Sequence, residues 1–302
     1  MRIGVDMGGT KIEAIVLADD GGELARNRVK TPRDDYPATI AAVARLVADV
    51  AADASSETPV GIATPGAISP ATGLLKNANS TWLNGKPLDA DLTQALGRPV
   101  RIANDADCFA LSEAVDGAGS DVEIVFGVIL GTGVGGGIVI HGKPLSGPNA
   151  IAGEWGHNPL PWPQAEEMPG PQCYCGKYGC IETYLSGPGL AADHKRHNGV
   201  DHGPEQIVAE AKSGSPDAIA SLRRYQDRLA RALAHVINIV DPDVIVLGGG
   251  LSNIDEFYGS VPDLLADYVF SDAVATTLAR NQHGDSSGVR GAAWLWPSGG
   301  RV

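Results

Sequence analysis

The chain has 302 residues, of which 43% are hydrophobic and 20% charged, so it is long enough to form a sizeable core in one large domain or two. Its net charge of −13 argues against a nucleic acid or an anionic membrane surface as the main partner, because both need a basic surface. The first residues show no apolar signal region, and no window approaches about 18 apolar residues, so the sequence predicts a cytoplasmic protein without a membrane span.

The first half of the chain alternates predicted strands with predicted helices. Two apolar segments, "RIGVD" and "IEAIVLAD", flank the turn "MGGTK" and are predicted strands. Apolar residues at helical spacing predict an amphipathic helix over 39–54. Short buried strands are predicted at 59–66 and 98–105, and a helix at 106–115 follows. This alternation is typical of a mixed α/β protein with helices packed on its sheets.

The second half repeats the arrangement with which the chain starts. Residues 124–140, "IVFGVILGTGVGGGIVI", show an apolar strand, a glycine turn and another apolar strand, as residues 3–17 do. A long helix at 221–240 and a strand at 243–250 follow, and the chain ends in a helix-rich tail. Two such hairpins indicate two related α/β domains, with residues 115–120 as the natural linker.

The glycine turns of both hairpins are candidate phosphate sites, because glycine lets backbone N–H groups converge on an anion. Neither turn has the Walker "GK[ST]" ending, and each leads into a strand, unlike the dinucleotide fingerprint. A tight turn without a ligand is the alternative for each. The predicted ATP- and phosphate-binding residues are Asp6, Gly8, Gly9, Thr10, Lys11, Gly131, Thr132, Gly133, Gly248 and Gly249. The last two, from "LGGG" (247–250), equally fit a turn at the start of a helix, and a solvated side chain is an equal alternative for Lys11.

Five motifs follow one another along the chain: "DMGGTK", "ANDAD", "GTGVGGG", "GEWGHNPL" and "CYCGKYGCIE". In order and spacing they resemble the ROK family of sugar kinases and sugar-responsive repressors, over about residues 1 to 296. "NANSTWLNG" (77–85) and "HGDSSGVRGAAWLW" are similar to the bacterial fructokinase/mannokinase branch.

The resemblance implies an α/β protein with the two-domain actin-like and hexokinase-like ATPase fold and a cleft between its domains. The predicted domains are a smaller N-terminal one, residues 1–115 plus 288–302, and a larger C-terminal one, residues 116–287, which carries the cysteine motif. The resemblance also implies a homodimer.

Asp105 is the predicted catalytic residue. Asn104 and Asp105 stand where a predicted strand ends and a helix begins, so capping of that helix by Asp105 is the simplest role. The resemblance implies a further one, in which Asp105 accepts the proton of the attacking sugar hydroxyl. An ordinary aspartate, with a pKa near about 3.9, is a weak base for an alcohol. It suffices because phosphoryl transfer has a loose transition state, in which the hydroxyl proton becomes acidic late.

Three of the chain's four cysteines lie within "CYCGKYGC" (173–180). A cytoplasmic compartment argues against a disulfide, and the single residue between Cys173 and Cys175 is unlike the Cys-x-x-Cys pair of redox enzymes. Zinc takes four tetrahedral ligands, and His157 of "GEWGH" offers a fourth beside Cys173, Cys175 and Cys180. The resemblance implies the same set, and free reduced thiols are the alternative. The sequence therefore predicts a structural Zn²⁺ ion that does no Lewis-acid chemistry.

The segment around the cysteines also carries predicted sugar contacts. Glu154 shortly precedes the ligand histidine and Glu182 shortly follows the last cysteine, so a shared ion would bring both carboxylates towards each other. Carboxylates accept hydrogen bonds from vicinal hydroxyls. The sugar contacts that the resemblance implies are Glu154, His157, Glu182, Asn104 and Asp105, with Asn79 and Gly66 as further candidates. Removal of zinc is expected to raise the sugar KM strongly, with a milder effect on ATP affinity.

These residues are compatible with three functions. The first is phosphorylation of a hexose at its C6 hydroxyl by ATP and Mg²⁺, with Asp6 and Asp105 near the ion, D-fructose as the predicted substrate and mannose as an additional one. The second is a kinase for glucose or an N-acetyl-hexosamine, since one or two contacts can decide between these sugars. The third is a sugar-sensing repressor, which the net charge and the first glycine turn at residue 8 disfavour.

Overall fold

The computed structural model describes residues 1–297, except for the side chain of residue 285. Residues 298–302, which were predicted to belong to the smaller domain, lie outside the described residues. The strands are β1 (Arg2–Met7), β2 (Lys11–Leu17), β3 (Glu23–Lys30), β4 (Val60–Thr64), β5 (Ala67–Ile68), β6 (Leu75–Lys76), β7 (Val100–Asn104), β8 (Ile124–Leu130), β9 (Val134–Ile140), β10 (Lys143–Pro144), β11 (Val244–Gly248) and β12 (Thr277–Arg280).

The helices match most of the predicted ones and add others. They are α1 (Tyr36–Val50), α2 (Leu88–Leu96), α3 (Asp105–Asp116), α4 (Glu182–Leu185), α5 (Gly187–Asn198), α6 (Pro204–Lys212), α7 (Pro216–Val240), α8 (Glu256–Leu265) and α9 (Ser287–Trp294). Short 3₁₀ helices span Thr81–Leu83, Trp155–His157, Ala165–Glu167, Gly250–Asn253 and Gly284–Ser286. Among residues 1–297, no helix combines the length and the apolar character that crossing a membrane requires.

The chain divides into two compact units. The first contains Met1–Asp121, Gly137–Ala152 and the segment from Gln282 onward, and the second contains Val122–Gly136 and Gly153–Asn281. The predicted boundaries did not assign Gly137–Ala152 to the first unit. This segment lies there because Gly137 packs on α3, where an added Cβ would come within 2.5 Å of the Ala106 carbonyl oxygen.

The first sheet has the strand order β3-β2-β1-β4-β7. β1 and β2 form the predicted antiparallel hairpin, and β4 lies parallel to both β1 and β7. Side chains alternate between the two faces, so that Ile3 and Val5 join the core under α1 whereas Gly4 faces α9. β3 was not predicted, because it is a mostly polar edge strand, "ELARNRVK", of which Ala25 and Val29 pack on the core.

α9 packs closely on this sheet through glycine. An added side chain at Gly4 would overlap the carbonyl oxygen of Val289, one at Gly61 that of Ala292, and one at Gly291 that of Cys108 on α3. Such backbone contact is possible only where no Cβ intervenes. The tail of the chain is therefore part of the interior of the first unit.

A buried carboxylate ties α3 to the same tail. Glu113 is 0% exposed. It accepts hydrogen bonds from the N–H groups of Ala118 (3.0 Å) and Gln282 (3.1 Å) and from the hydroxyl of Ser287 (3.0 Å). A charge can stay buried only when such donors replace its water. The end of α3 and the segment before α9 thus form one polar network.

The second sheet has the order β10-β9-β8-β11-β12, with β11 parallel to β8 and to β12. β8 and β9 are the second predicted glycine hairpin. In the second unit α7 packs against α5, α6 and α8. The prediction of a mixed α/β fold is confirmed.

Gly291→Ala is expected to destabilise the protein by about 1–3 kcal/mol or more, because the new methyl group overlaps the backbone of α3. Gly259→Ala on α8 is the matched control, since nothing lies within 4 Å of a Cβ there. It should leave stability unchanged or raise it by up to about 1 kcal/mol. Urea unfolding midpoints measure both, and equal stability of Gly291→Ala and wild type would contradict the packing described.

Candidate active site and metal centre

Four side chains of the second unit converge so that one ligand atom of each lies within 4.8 Å of the others: His157, Cys173, Cys175 and Cys180. Backbone pairing positions them, since Pro159 bridges to Cys180 and the N–H of Cys173 donates to the Lys177 carbonyl at 2.8 Å. The loop closes tightly because Gly176 adopts a φ of 88°. Residues far apart in sequence thus form one cluster, as predicted.

The cluster has the dimensions of a zinc site. Cys173 Sγ lies 3.6 Å from His157 Nδ1, and Cys175 Sγ lies 3.6 Å from Cys180 Sγ. A tetrahedral ion bonded at about 2.3 Å to sulfur and about 2.0 Å to nitrogen places its ligand atoms about 3.5–3.8 Å apart. Burial raises the pKa of Cys180 to about 12, so a thiolate forms there only beside a cation. The four donors fit a structural zinc ion.

Tyr174, between the first two cysteines, was not predicted to take part. Its hydroxyl lies 2.9 Å from His157 Nε2, whereas the other ring nitrogen, Nδ1, faces Cys173. Partial desolvation, followed by the charges of Glu182 and Glu154, raises the pKa of Tyr174 to about 12. The tyrosine is 83% exposed, so a ligand can displace it from the histidine.

Glu182 connects the cysteine segment to the glycine turn of the β8–β9 hairpin. Its Oε2 accepts a hydrogen bond from the Val134 N–H at 2.9 Å, and a Cβ on Gly133 would come within 2.7 Å of that oxygen. The N–H of Gly187 also donates to the Gly131 carbonyl at 2.7 Å. The predicted phosphate turn is therefore held by the segment that follows the cysteines.

A cavity of about 810 Å³ adjoins the same turn. Its wall includes Gly131, Thr132, Gly187, Gly203, Pro204 and Gly250. Small-molecule sites commonly have volumes of about 300–1,000 Å³. A wall rich in glycine lets a flat base or a ribose lie against the backbone, so the cavity suits a nucleotide.

The glycines of the third segment, 247–250, have different surroundings: one packs on β8 and another lines the cavity. Gly249 precedes the 3₁₀ helix Gly250–Asn253, and its φ is 80°. A Cβ on Gly249 would lie 2.5 Å from the Leu130 carbonyl oxygen, so this glycine is needed for packing on β8. Gly250, which was not predicted, lines the cavity, whereas Gly248 is buried at the end of β11.

Buried ion pairs hold the proline-rich segment before the cysteines on α7. Glu167 lies 2.7 Å from Nε of Arg228 and 2.8 Å from Nη2 of Arg231, which is 0% exposed. Burial alone would raise the pKa of Glu167, but the two guanidinium groups outweigh it and lower the pKa to about 2. Arg231 also donates to the carbonyl oxygen of Trp162 at 2.9 Å. This network fixes the backbone that leads into the metal cluster.

Asn104 and Asp105 stand at the junction of β7 and α3, in the first unit. Asn104 is the N-cap: its Oδ1 accepts from the Ala106 N–H at 2.9 Å, and its Nδ2 donates to the Gly66 carbonyl at 3.1 Å. Oδ1 of Asp105 accepts from the same N–H at 2.8 Å, so the two residues share the capping role. Gly66, with a φ of 78°, has no room for a side chain beside the Lys76 carbonyl oxygen.

Asp6, near the end of β1, is a second carboxylate close to Asp105. Burial, followed by the charges of Asp105 and Glu13, raises the pKa of Asp6 to about 7. A carboxyl group in this state takes up a proton at neutral pH unless a cation compensates its charge. This behaviour suits the predicted place near Mg²⁺.

The first glycine turn is braced by the residue after β3. Thr31 donates its hydroxyl to the Gly8 carbonyl at 2.7 Å and its N–H to the Thr10 carbonyl at 3.0 Å. Lys11 lies 3.6 Å from the buried carboxylate of Glu13 and is 39% exposed. The charge of Lys11 is therefore paired with that of Glu13. Neither role considered from the sequence, a phosphate contact or a solvated side chain, included this ion pair.

Asn79 lies in the 77–85 loop, whose shape depends on Asn84. The Asn84 side chain accepts from the Ala78 N–H at 2.9 Å and donates to the Ala78 carbonyl at 2.8 Å. Asn79 is exposed, whereas Ser80 beside it is buried, with its Oγ 3.2 Å from a Cβ placed on Gly9. The loop thus lies against the first glycine turn.

The ROK family model matches residues 2–298. The chain belongs to the ROK family. It is 43% identical over 300 residues to N-acetyl-D-glucosamine kinase of Escherichia coli (strain K12), covering 98% of this chain and 99% of that protein. It is also similar to the solved ROK hexokinase from Thermus thermophilus, with 29% identity, a TM-score of 0.85 and coverage of 97% of both chains. A ROK family glucokinase from Streptomyces griseus, solved with glucose and AMPPNP, is 29% identical with a TM-score of 0.76, over 97% of this chain and 98% of that one.

The prediction of a ROK-family sugar kinase with a hexokinase-like fold is therefore confirmed. The finer prediction of the fructokinase/mannokinase branch is not confirmed, because the curated relatives include N-acetyl-D-glucosamine kinases at 43% identity. Motifs shared by a whole family carry its chemistry, whereas sugar preference depends on a few contacts. The roles of individual residues, the homodimer and the cytoplasmic location stay predictions.

Proposed function

We propose that this ROK sugar kinase phosphorylates N-acetylglucosamine at its C6 hydroxyl, with ATP as the donor. The observation that supports this substrate is the 43% identity to N-acetyl-D-glucosamine kinase over 98% of the chain. N-acetylglucosamine thus replaces D-fructose, the substrate predicted from the sequence. N-acetyl-hexosamines were among the predicted alternatives, and fructose and mannose are compared with N-acetylglucosamine in the experiment below.

In the proposed reaction the C6 oxygen of the sugar attacks the γ-phosphorus of ATP. The C6–O–P bond forms, the bond between the γ-phosphorus and the bridging oxygen breaks, and ADP leaves with the bond's electron pair. Asp105 accepts the hydroxyl proton, and Asn104, held by the Gly66 carbonyl, keeps the loop beside it in place. Because the transition state is loose, orientation of the hydroxyl matters more than the basicity of Asp105.

Glu154, His157 and Glu182, all in the second unit, are further proposed sugar contacts. Carboxylates there suit the hydroxyl and amide donors of an N-acetyl sugar. The four zinc ligands would hold His157 and the segment of Glu182 in place, and the ion itself would supply structural support only.

On the donor side, the cavity of about 810 Å³ is the proposed nucleotide site, with the 131–133 turn at the phosphates. Mg²⁺ bound to ATP would neutralise phosphate charge. Asp6 is the proposed residue near that ion, since it is a buried carboxylate whose charge, beside those of Asp105 and Glu13, a cation would stabilise. Lys11 and the first glycine turn stay predicted phosphate contacts.

A hexose panel tests the substrate. We expect kcat/KM for N-acetylglucosamine to exceed that for fructose, mannose and glucose at least about tenfold, since one or two specific contacts give factors of about 10–200. ADP release in a coupled assay measures each value. Preference for fructose would restore the substrate expected from the sequence, and absence of ADP release with every sugar would refute the kinase.

A further inference from the structure

A second group of metal-ligand side chains lies in the second unit, apart from the cysteines. One ligand atom of each of three residues lies within 4.8 Å of the others: His194, His202 and Glu210. His194 is on α5, His202 is in the loop before α6, and Glu210 is on α6. His194 is 2% exposed, so one of the three donors is buried in the protein interior.

The spacing of these groups suits a metal ion. His202 Nδ1 lies 3.1 Å from the Glu210 carboxylate, near the about 3.3 Å between two ligand atoms of a tetrahedral ion bonded at about 2.0 Å. The two imidazole rings are stacked, at an interplanar angle of 16° and with centroids 5.6 Å apart, so one ring must turn before both in-plane lone pairs meet at one ion. A hydrogen bond between His202 and Glu210 also fits the 3.1 Å distance, so the test must separate the two.

Nδ1 of His194, the nitrogen that would not bind the metal, has a hydrogen-bond partner, as in many metal-bound histidines. This nitrogen lies 3.0 Å from Ser221 Oγ, and the Ser221 hydroxyl donates to the Asp217 carbonyl at 3.0 Å. An oxygen whose hydrogen is already engaged can accept the Nδ1–H, which leaves the lone pair on Nε2. Nδ2 of Asn198 lies 3.1 Å from the same Nδ1. A half-turn of this amide would place its oxygen there instead, to accept the Nδ1–H. Such support of the non-ligand nitrogen is typical of metal-binding histidines.

We propose that His194, His202 and Glu210 bind a transition-metal ion such as Zn²⁺ or Co²⁺, at a site separate from the cysteine cluster. Two imidazoles and one carboxylate suit these ions rather than Mg²⁺, which takes oxygen ligands. Three protein ligands leave the fourth tetrahedral position for water.

The proposed ion would lie next to the wall of the proposed nucleotide cavity. The ligand His202 immediately precedes Gly203 and Pro204, which line that cavity. An ion bonded to α5, to α6 and to the loop between them would hold this part of the wall in one position. Metal binding by these residues does not depend on the identity of the sugar.

Cobalt titration of protein that carries one equivalent of zinc tests the site. Because the three thiolates of the cysteine cluster would take this first equivalent, we expect one equivalent of Co²⁺ to bind elsewhere, with visible ligand-field bands and no thiolate-to-cobalt charge transfer. His202→Gln and His194→Gln should each weaken this binding at least about 100-fold, and Ser221→Ala by about 10–100-fold. His197→Gln, on the same helix but outside the cluster, is the control and should bind Co²⁺ as wild type does.

Two results would overturn the proposal. One is the absence of saturable Co²⁺ binding to wild type that carries one equivalent of zinc, and the other is unchanged binding in His202→Gln, which would leave only a hydrogen-bonded pair. Backbone amide exchange over residues 199–212 tests the effect on the loop: Co²⁺ should slow it in wild type and in His197→Gln, but not in His202→Gln. Equal exchange with and without bound Co²⁺ would refute the role in fixing the wall.

Discussion

Asp105→Asn is expected to lower kcat by a factor of about 10²–10⁴, while the sugar KM changes within a few-fold. The amide removes the proton acceptor but keeps an oxygen for the Ala106 N–H, which Asn104 also caps. The start of α3 should therefore stay intact, and the loss should fall on the chemical step. Steady-state kinetics with N-acetylglucosamine and ATP measure both constants.

Asp107→Asn is the matched control for this experiment. It removes a carboxylate from the same first turn of α3, so it reproduces any loss that arises from the charge at the helix start alone. Its kcat should stay within about threefold of wild type, because proton acceptance is assigned to Asp105. If Asp105→Asn keeps more than about a tenth of the wild-type kcat, Asp105 is not the base.

Loss of Cys180, a proposed zinc ligand, should have the second large effect. Cys180→Ala is expected to reduce bound zinc and to raise the sugar KM at least about tenfold, because His157 and Glu182 lose their common support. The sequence suggested only a mild effect on ATP. The hydrogen bond from Val134 to Glu182 changes that expectation, and the KM for ATP should rise several-fold as well.

Zinc content and the two KM values, measured on folded protein, check this result. Cys108→Ala is the control, since Cys108 is a buried thiol on α3 outside the cluster. It should keep its zinc and both KM values. An unchanged sugar KM in folded, zinc-free Cys180→Ala would show that the ion does not support the sugar site.

The sequence predicted those parts of the site whose chemistry is carried by residue type and spacing. Cys173, Cys175, Cys180 and His157 form a recognisable set because zinc accepts few kinds of ligand. Tyr174 gave no such signal, because an exposed tyrosine between two cysteines has no pattern of its own. Its contact with His157 becomes visible only when the loop is folded.

Other features escaped prediction because they depend on tertiary contacts. The ion pair between Lys11 and Glu13 could have been predicted from the sequence, since residues two apart on a strand share a face. The burial of Glu13 could not, because nothing in the local sequence indicates it. β3 lacks apolar alternation, and its place in the sheet follows from pairing with β2. Glu182 was assigned to the sugar alone, because nothing local shows that its carboxylate reaches the backbone of the glycine turn.

The dependence of the first unit on α9 affects the order in which the two units can fold during synthesis. Strands β1 and β4 leave the ribosome early, yet the helix that covers Gly4 and Gly61 is the last one in the described chain. Until it emerges, this face of the sheet stays uncovered and Glu113 lacks the donors of Gln282 and Ser287. The second unit, whose residues lie between, can therefore complete its fold during synthesis before the first. The N-terminal unit is the later one to mature, and it depends on contacts of long sequence separation, which form slowly.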